Sequence, residues 1–250
     1  MSAILETRGL NKNFGALRVA QNINFTLDTG ARHALIGPNG AGKTTFINLI
    51  TGRLKPSSGH VLLAGEDVTD LSQEARVKRG IGRTFQINQL FKGLSVLENV
   101  TLAIGEREGV AGDMFRVAGS HRRVVEEAYA LLERLRIADD ALKPLKELPY
   151  GRQRLVEIAI ALGLRPKVLL LDEPAAGVPS TESAIILDIV DQLPREIAVL
   201  IIEHDMDLVF RFARRITVLV QGGVLVEGTP AEIAADARVR EVYLGERHHG

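Results

Sequence analysis

The sequence has no cysteine. That excludes disulfides, thiolate zinc sites and cysteine nucleophiles, and it is compatible with a cytoplasmic setting. Aromatic residues are scarce, at 4%. Neither sign of charge dominates, because Lys+Arg and Asp+Glu are both 31. A nucleic-acid partner calls for a basic excess or patch, and only short basic clusters such as Arg214-Arg215 are present, so none is expected. No apolar run approaches the ~18 residues of a membrane span. Met1 to Glu6 lack the basic start and apolar core of a signal peptide. The chain is therefore expected to be soluble, with any membrane role coming through a partner. What is left is an ordinary globular balance, 46% hydrophobic and 25% charged over 250 residues. That suits one large domain, or one domain with a subdomain.

Against this plain background one stretch stands out: Gly37-Pro38-Asn39-Gly40-Ala41-Gly42-Lys43-Thr44, followed by Thr45. It fits GxxxxGK[ST], the phosphate-binding loop. Gly40 and Gly42 have no Cβ, so the backbone can curl and turn consecutive N–H groups inward. Lys43 brings an ammonium to the β- and γ-phosphates, and the Thr44 hydroxyl can ligate Mg²⁺. Ala34-Leu35-Ile36 before the loop reads as a buried strand, and Phe46 to Ile50 after it as a helix whose positive end faces the phosphates. The sequence predicts nucleoside triphosphate binding.

The remainder alternates strands and helices. Residues 3–36 read as short apolar stretches with turns, Ile23 to Leu27 having the period-two pattern of a half-buried strand. Phe14 lies well upstream of the loop, where it either stacks on a nucleotide base or serves the core. His60 to Leu63 reads as a strand, Leu71 to Arg79 as a helix, and Ile81 to Phe85 as a strand that delivers Gln86 at its end. Ser95-Val96-Leu97-Glu98 is a capping box that opens a helix. Residues 105–119 read as a loop, and Val124 to Leu135 as a helix with Val125, Ala128, Leu131, Leu132 and Leu135 on one side. A helix through Leu164 follows Leu148-Pro149-Tyr150-Gly151-Arg152-Gln153. The strand Lys167 to Leu171, helix 181–192, strand 197–202, helix 205–213 and strand 216–220 then indicate a parallel sheet with covering helices. Gly222-Gly223 is read as the turn of a hairpin across 218–226.

Two more polar groups sit at strand ends. Asp172-Glu173 closes the apolar run Val168 to Leu171. Consecutive strand residues point to opposite sides, so Asp172 can hold Mg²⁺ while Glu173 polarises an attacking water. His204 closes the next apolar strand, at the edge where open α/β sheets bind ligands.

Together these residues resemble the nucleotide-binding subunit of an ABC transporter. The phosphate loop and Val168 to Pro174 are similar to the family's two Walker motifs, Gln86 to its Q-loop, His204 to its switch histidine and Phe14 to the aromatic that stacks on adenine. Gly80 to Gln86 with Leu90-Phe91, Asp172 to Gly177, Ile202 to Met206 and Val242 to Glu246 resemble the ATPases of branched-chain amino acid importers. The resemblance implies an α/β P-loop NTPase fold with a RecA-like mixed-sheet core, an N-terminal antiparallel β subdomain and a helical subdomain. It implies a core with β subdomain at 1–86 and 151–228, a helical subdomain at 87–150 and a helical tail at 229–250. ATP and Mg²⁺ are the implied cofactors. The phosphate loop from Gly37 to Thr45, with Phe14, binds ATP, and Thr44, Gln86 and Asp172 serve the metal. Lys43, Gln86, Glu173 and His204 are the implied catalytic set. Two copies, or two different such subunits, pair head to tail. Two membrane permease subunits dock on them, and a solute-binding protein acts indirectly. The implied location is the cytoplasm, peripheral on the inner face of the cell membrane.

The chain departs from the family at two points. Where Leu-Ser-Gly-Gly-Gln is usual it has Leu148-Pro149-Tyr150-Gly151-Arg152. Gly151 and its helix can still offer an anion site to the partner's nucleotide, and Arg152 is expected to compensate in charge for the missing serine hydroxyl. Pro179 stands where an aspartate or asparagine often contacts the partner. An export-type ATPase shares all these catalytic residues. A soluble ABC protein of ribosomes or DNA would usually show two such domains or long coiled-coil arms. A small-molecule kinase would leave Gln86, Glu173 and His204 without a task.

Overall fold

The computed structural model describes residues 2–84, 90–110 and 122–245. Two sheets organise them. Strands β1 (Ala3–Phe14) and β2 (Leu17–Asp28) pair antiparallel, and with β4 (Ser58–Leu63) and β5 (Glu66–Asp67) they make a four-stranded sheet in the order β2-β1-β4-β5. The second sheet has six strands in the order β10-β9-β3-β8-β7-β6. These are β10 (Gly223–Gly228), β9 (Arg215–Val220), β3 (Arg32–Ile36), β8 (Ala198–Ile202), β7 (Val168–Asp172) and β6 (Ile81–Arg83). All of its pairings are parallel except β10 on β9, which makes the sheet mixed.

The helices are α1 (Lys43–Thr51), α2 (Gln73–Arg79), α3 (Val96–Arg107), α4 (Arg122–Arg134), α5 (Tyr150–Gly163), α6 (Ser180–Asp191), α7 (Met206–Phe212), α8 (Pro230–Ala235) and α9 (Ala237–Gly245). The period-two pattern of the six-stranded sheet divides the interior. Ala34, Ile36, Leu169, Leu171, Val199 and Ile201 face a core shared with residues of α3 to α7. Leu35, Val168, Leu170, Ala198, Leu200 and Ile202 face a second core, shared with α1 and the four-stranded sheet. A parallel sheet must be covered on both faces, and its neighbouring strands β7 and β8 are accordingly apolar and buried from Val168 to Leu171 and from Ala198 to Ile202.

Several expectations needed correction. The N-terminal region forms two 12-residue strands instead of short stretches, because polar residues on the outer face still pair in the ladder. The Ser95–Glu98 capping box is present, Ser95 Oγ accepting from the Glu98 N–H and Glu98 accepting from the Ser95 N–H. Its helix runs on to Arg107, into the region read as a loop; residues 111–121 lie outside the described ones. On α4 the buried stripe is Val124, Ala128 and Leu132, and Val125 is exposed. The β9–β10 hairpin turns on Gln221-Gly222, since Val220 pairs with Gly223. Both turn residues have positive φ, 48° and 80°. A Cβ on Gly222 would lie 2.4 Å from the Val19 carbonyl oxygen of β2, so glycine is required there by space as well as by conformation.

One polar relay runs from the buried His33 of β3 through Thr217 of β9 to Glu227 of β10. Thr217 gives its only hydroxyl hydrogen to Glu227 Oε2 at 2.9 Å. The His33 Nε2 at 2.8 Å from the same oxygen must therefore be the donor, which fixes the neutral tautomer. Burial drives the His33 pKa down to about 4, against the pull of Glu227. The unfolded chain, with an ordinary imidazole pKa of ~6.5, takes up the proton first. The stability due to the neutral ring is complete above that value and is lost as pH falls from there towards 4. Between pH 7 and pH 5 the unfolding free energy is expected to drop by about 2 kcal/mol more than in His33→Gln. Urea unfolding at both pH values measures this, and equal drops would exclude His33 as the source.

Candidate active site

Four parallel strands deliver their C-terminal ends to one edge. Leu35 and Asp172 both pair with Ile202, so the phosphate loop after β3, the acidic pair after β7 and the turn after β8 lie at one level. β6 ends beside β7 at Arg83.

The phosphate loop is built by close backbone approach. Gly42 is the N-cap of α1 with φ 97°, and a Cβ there would lie 2.7 Å from the Val19 carbonyl oxygen. No side chain caps α1, and no acidic residue occupies its first turn. Its leading N–H groups are thus left for a ligand, with the positive end of the helix dipole behind them. Lys43 Nζ donates to the carbonyls of Gly37 and Pro38, the latter at 3.0 Å, which holds the ammonium across the loop. The Ala41 N–H bonds the Pro38 carbonyl at 3.1 Å, while the Ala41 carbonyl accepts from Gly222 at 3.0 Å and ties the loop to the β9–β10 hairpin. Thr44 is exposed on the first turn of α1 and Thr45 is half-buried. Phe14 stands at the tip of the β1–β2 hairpin, 51% exposed, which removes the core alternative. The Lys12 ammonium lies 5.1 Å from its ring centroid.

Asp172 is the last residue of β7, and its Oδ2 accepts from Arg83 Nη2 at 2.7 Å. The other Arg83 nitrogen donates to Asn48 Oδ1 on α1 at 3.0 Å. One guanidinium therefore joins β6, β7 and α1. Glu173 does not continue the strand: its φ is 47°, in the left-handed region, although its N–H still bonds the Ile202 carbonyl at 2.9 Å. The two carboxylates separate because the chain turns between them, a stronger device than strand alternation alone. Glu173 is about half-exposed, and its Oε1 lies 3.7 Å from His204 Nδ1. The structure thus brings Glu173 and His204 together. Gln86 lies outside the described residues.

Glu203 precedes His204 and is 1% exposed. Its Oε1 accepts from the Ala175 N–H at 3.1 Å and its Oε2 from the His204 N–H at 3.3 Å. Burial pushes this carboxyl up, while those two N–H groups and His204 pull it back. Gly151 is in the first turn of α5, behind Pro149, and no side chain caps the helix. A Cβ on Gly151 would meet Glu182 Oε2 at 2.5 Å, so a carboxylate lies beside that helix start. The Arg152 guanidinium is paired with the buried Asp140, which also binds Lys143 at 2.7 Å. Arg83, Asn48, Glu182 and Glu203 were not singled out from the sequence. Glu203 alone left a signal there, as a charge directly after an unbroken apolar strand.

With phosphate-binding donors, two separated carboxylates and a histidine at one edge, the arrangement suits phosphoanhydride cleavage by water. The sequence matches the family model described as ABC transporter over residues 20–176, and that described as branched-chain amino acid ATP-binding cassette transporter over residues 224–249. It is 36% identical to the high-affinity branched-chain amino acid transport ATP-binding protein BraF of Pseudomonas aeruginosa, over 97% of this chain and 98% of that one. The structure is similar to the ADP conformation of an ATP-binding cassette of an ABC transporter. The TM-score is 0.88 at 32% identity, covering 98% of this chain and 100% of the other. It is also similar to a dimeric cassette in a post-hydrolysis state bound to ADP and Pi, with TM-score 0.74, 26% identity and coverage of 90% and 98%.

Proposed function

Because the chain belongs to the ABC transporter family of ATP-binding subunits, we propose that it hydrolyses ATP as a head-to-tail dimer to drive import of branched-chain amino acids through two permease partners. The solute class is supported above all by 36% identity, over 97% of the chain, to a branched-chain amino acid transport subunit, together with the match of residues 224–249. Among the described residues no helix is long and apolar enough to cross a membrane; in this reading the permeases hold the chain at the inner membrane face.

In this reading Phe14 stacks on the adenine, and the loop from Gly37 to Thr45 cradles the phosphates. Lys43 leaves the Gly37 and Pro38 carbonyls for the β- and γ-phosphates. Mg²⁺ fits an all-oxygen set made of the Thr44 hydroxyl, the Asp172 carboxylate and, by resemblance, Gln86. When bound, the ion neutralises charge on the β- and γ-phosphates. Glu173 orients and polarises the attacking water, and His204 stands beside it to contact the γ-phosphate. Gly151 and Arg152 face the partner's nucleotide. Arg152 reaches it by giving up Asp140, while Lys143 keeps that carboxylate paired.

Two measurements bear on this reading. Glu173→Gln should retain ATP and accumulate the closed pair, so light scattering after size exclusion should show a monomer without nucleotide and a dimer with Mg-ATP. A monomer in both conditions, with ATP bound, would count against a dimer closed by nucleotide alone. Arg83→Met removes a cation 2.7 Å from Asp172. It is expected to lower the Mg²⁺ concentration needed to bind a fluorescent ATP analogue, by about threefold or more. An unchanged or raised requirement would separate Asp172 from the metal.

A further inference from the structure

The buried carboxylate of Glu203 is costly to maintain. A charge removed from water needs a cation or several hydrogen bonds in return. Among the described residues no Lys or Arg pairs with it; its partners are two backbone N–H groups and, at 3.9 Å, His204 Nδ1. Space filling alone does not explain it, since β8 already closes with Ile201 and Ile202 in the two cores.

Its position explains it better. The Ala175 N–H belongs to the loop that follows Glu173, and Pro174 between them has no N–H to offer. The His204 N–H belongs to the turn after β8. One side chain therefore fastens two loops that also meet through the Glu173 N–H on the Ile202 carbonyl at 2.9 Å and through the Glu173–His204 contact at 3.7 Å. Glu173, at a positive φ that a non-glycine residue adopts only when its surroundings impose it, is gripped on both sides by consecutive residues of one strand end. Ile202 holds its own N–H, and Glu203 holds the N–H two residues on.

We propose that Glu203 is a positioning residue for hydrolysis: its carboxylate clamps the loop after Glu173 to the loop carrying His204, and so sets the geometry of the Glu173–His204 pair. This rests on the reading of those two residues as the hydrolytic pair. Residues 174–179 lead to Pro179, on the segment expected to face the partner subunit. The same clamp then passes displacement of that segment to His204 by a direct bond. A short rigid link of this kind is a physical route for coupling, since its donors and acceptor move together or part.

The test compares Glu203→Gln and Glu203→Asp with wild type and with Glu173→Gln in the full-length chain. Gln keeps the reach but turns its NH2 group towards one of the two N–H donors. Asp keeps the charge but is one methylene too short to reach both. For both variants we expect kcat to fall about tenfold or more, with KM and the affinity for a fluorescent ATP analogue within about twofold of wild type. Amide hydrogen exchange at Ala175 and His204 should accelerate together. A purely structural role would instead lower the melting temperature and scale activity with the folded fraction, leaving the turnover of folded protein unchanged. That result overturns the proposal, as does wild-type kcat in Glu203→Gln. Should neither variant fold, exchange in the wild-type protein decides: joint protection of the two amides supports the clamp, and an unprotected Ala175 amide overturns it. Wild-type turnover in Glu173→Gln would refute the reading of the site instead, and the exchange data would still judge the clamp.

Discussion

Glu173→Gln is expected to bind Mg-ATP as wild type does and to hydrolyse it about 10²–10⁴-fold more slowly, the range a positioned general base contributes. The substitution changes one oxygen into an NH2 group. Side-chain volume is kept, and the backbone bond from the residue 173 N–H to the Ile202 carbonyl is untouched. In the proposed reading the Glu173 carboxylate contacts water and not the phosphates, and its Oε1 lies 3.7 Å from His204 Nδ1. Binding and chemistry should therefore separate cleanly. Phosphate release under saturating ATP gives kcat, and titration with a fluorescent ATP analogue gives affinity. Turnover above a tenth of wild type would remove Glu173 as base. Loss of affinity would mean that the side chain helps to hold the nucleotide. His204→Ala provides the contrast, because it removes the neighbour while leaving the carboxylate half-exposed at the strand end.

The parts of this site proposed to carry chemistry are legible because each stands next to a strong local pattern. The phosphate loop lies between a buried strand and a helix, and Asp172-Glu173 and His204 each close a run of apolar residues. Strand ends of a parallel sheet converge, so reading the strands was enough to bring those side chains together. The residues that hold the site in shape had no such mark. Arg83 sits in a three-residue strand, and its partners Asp172 and Asn48 are 89 and 35 positions away. Distance in sequence hides a bond of that kind from any local pattern. The Gly-Gly turn was misplaced by one residue, because strand register put Gly223 into the ladder and left Gln221 at the turn. Val125 was assigned to a buried face that α4 in fact builds from Val124, Ala128 and Leu132. A helical stripe one residue off differs by only 100° of rotation, and what α4 packs against decides between the two.

Arg76 is the plainest case of a role set by tertiary structure, and replacing it is expected to have the largest effect on stability. In sequence it belongs to the basic end of α2, with Lys78 and Arg79, and no local pattern marks it. In the fold it is 1% exposed. Its Nη1 donates to the carbonyls of Leu49 and Ile50, both at 2.7 Å, Nη2 to Thr69 at 2.7 Å and Nε to Leu71 at 3.2 Å. The first two are among the last carbonyls of α1, Leu49 having besides only a long bond from the Gly52 N–H at 3.4 Å, and a cation there also opposes the negative end of the dipole. Burial lowers its pKa, and Asp67 and Asp70 resist that shift. Arg76→Leu would take the donor from four carbonyls, those of Leu49 and Ile50 buried and those of Thr69 and Leu71 half-buried. Each unsatisfied group costs about 1–3 kcal/mol, so a loss of about 4 kcal/mol or more is expected in urea unfolding. Arg76→Lys should recover only part of it, since an ammonium has three donors and no planar fork. A loss below about 1 kcal/mol in Arg76→Leu would mean that water enters and replaces the guanidinium. Because the phosphate-loop residues Lys43 and Thr44 open α1 at its other end, the variant should also bind nucleotide more weakly wherever it remains folded. The anchor of α1 is then not in the loop that precedes it but in a residue of α2, bonded to the carbonyls at the opposite end of the helix.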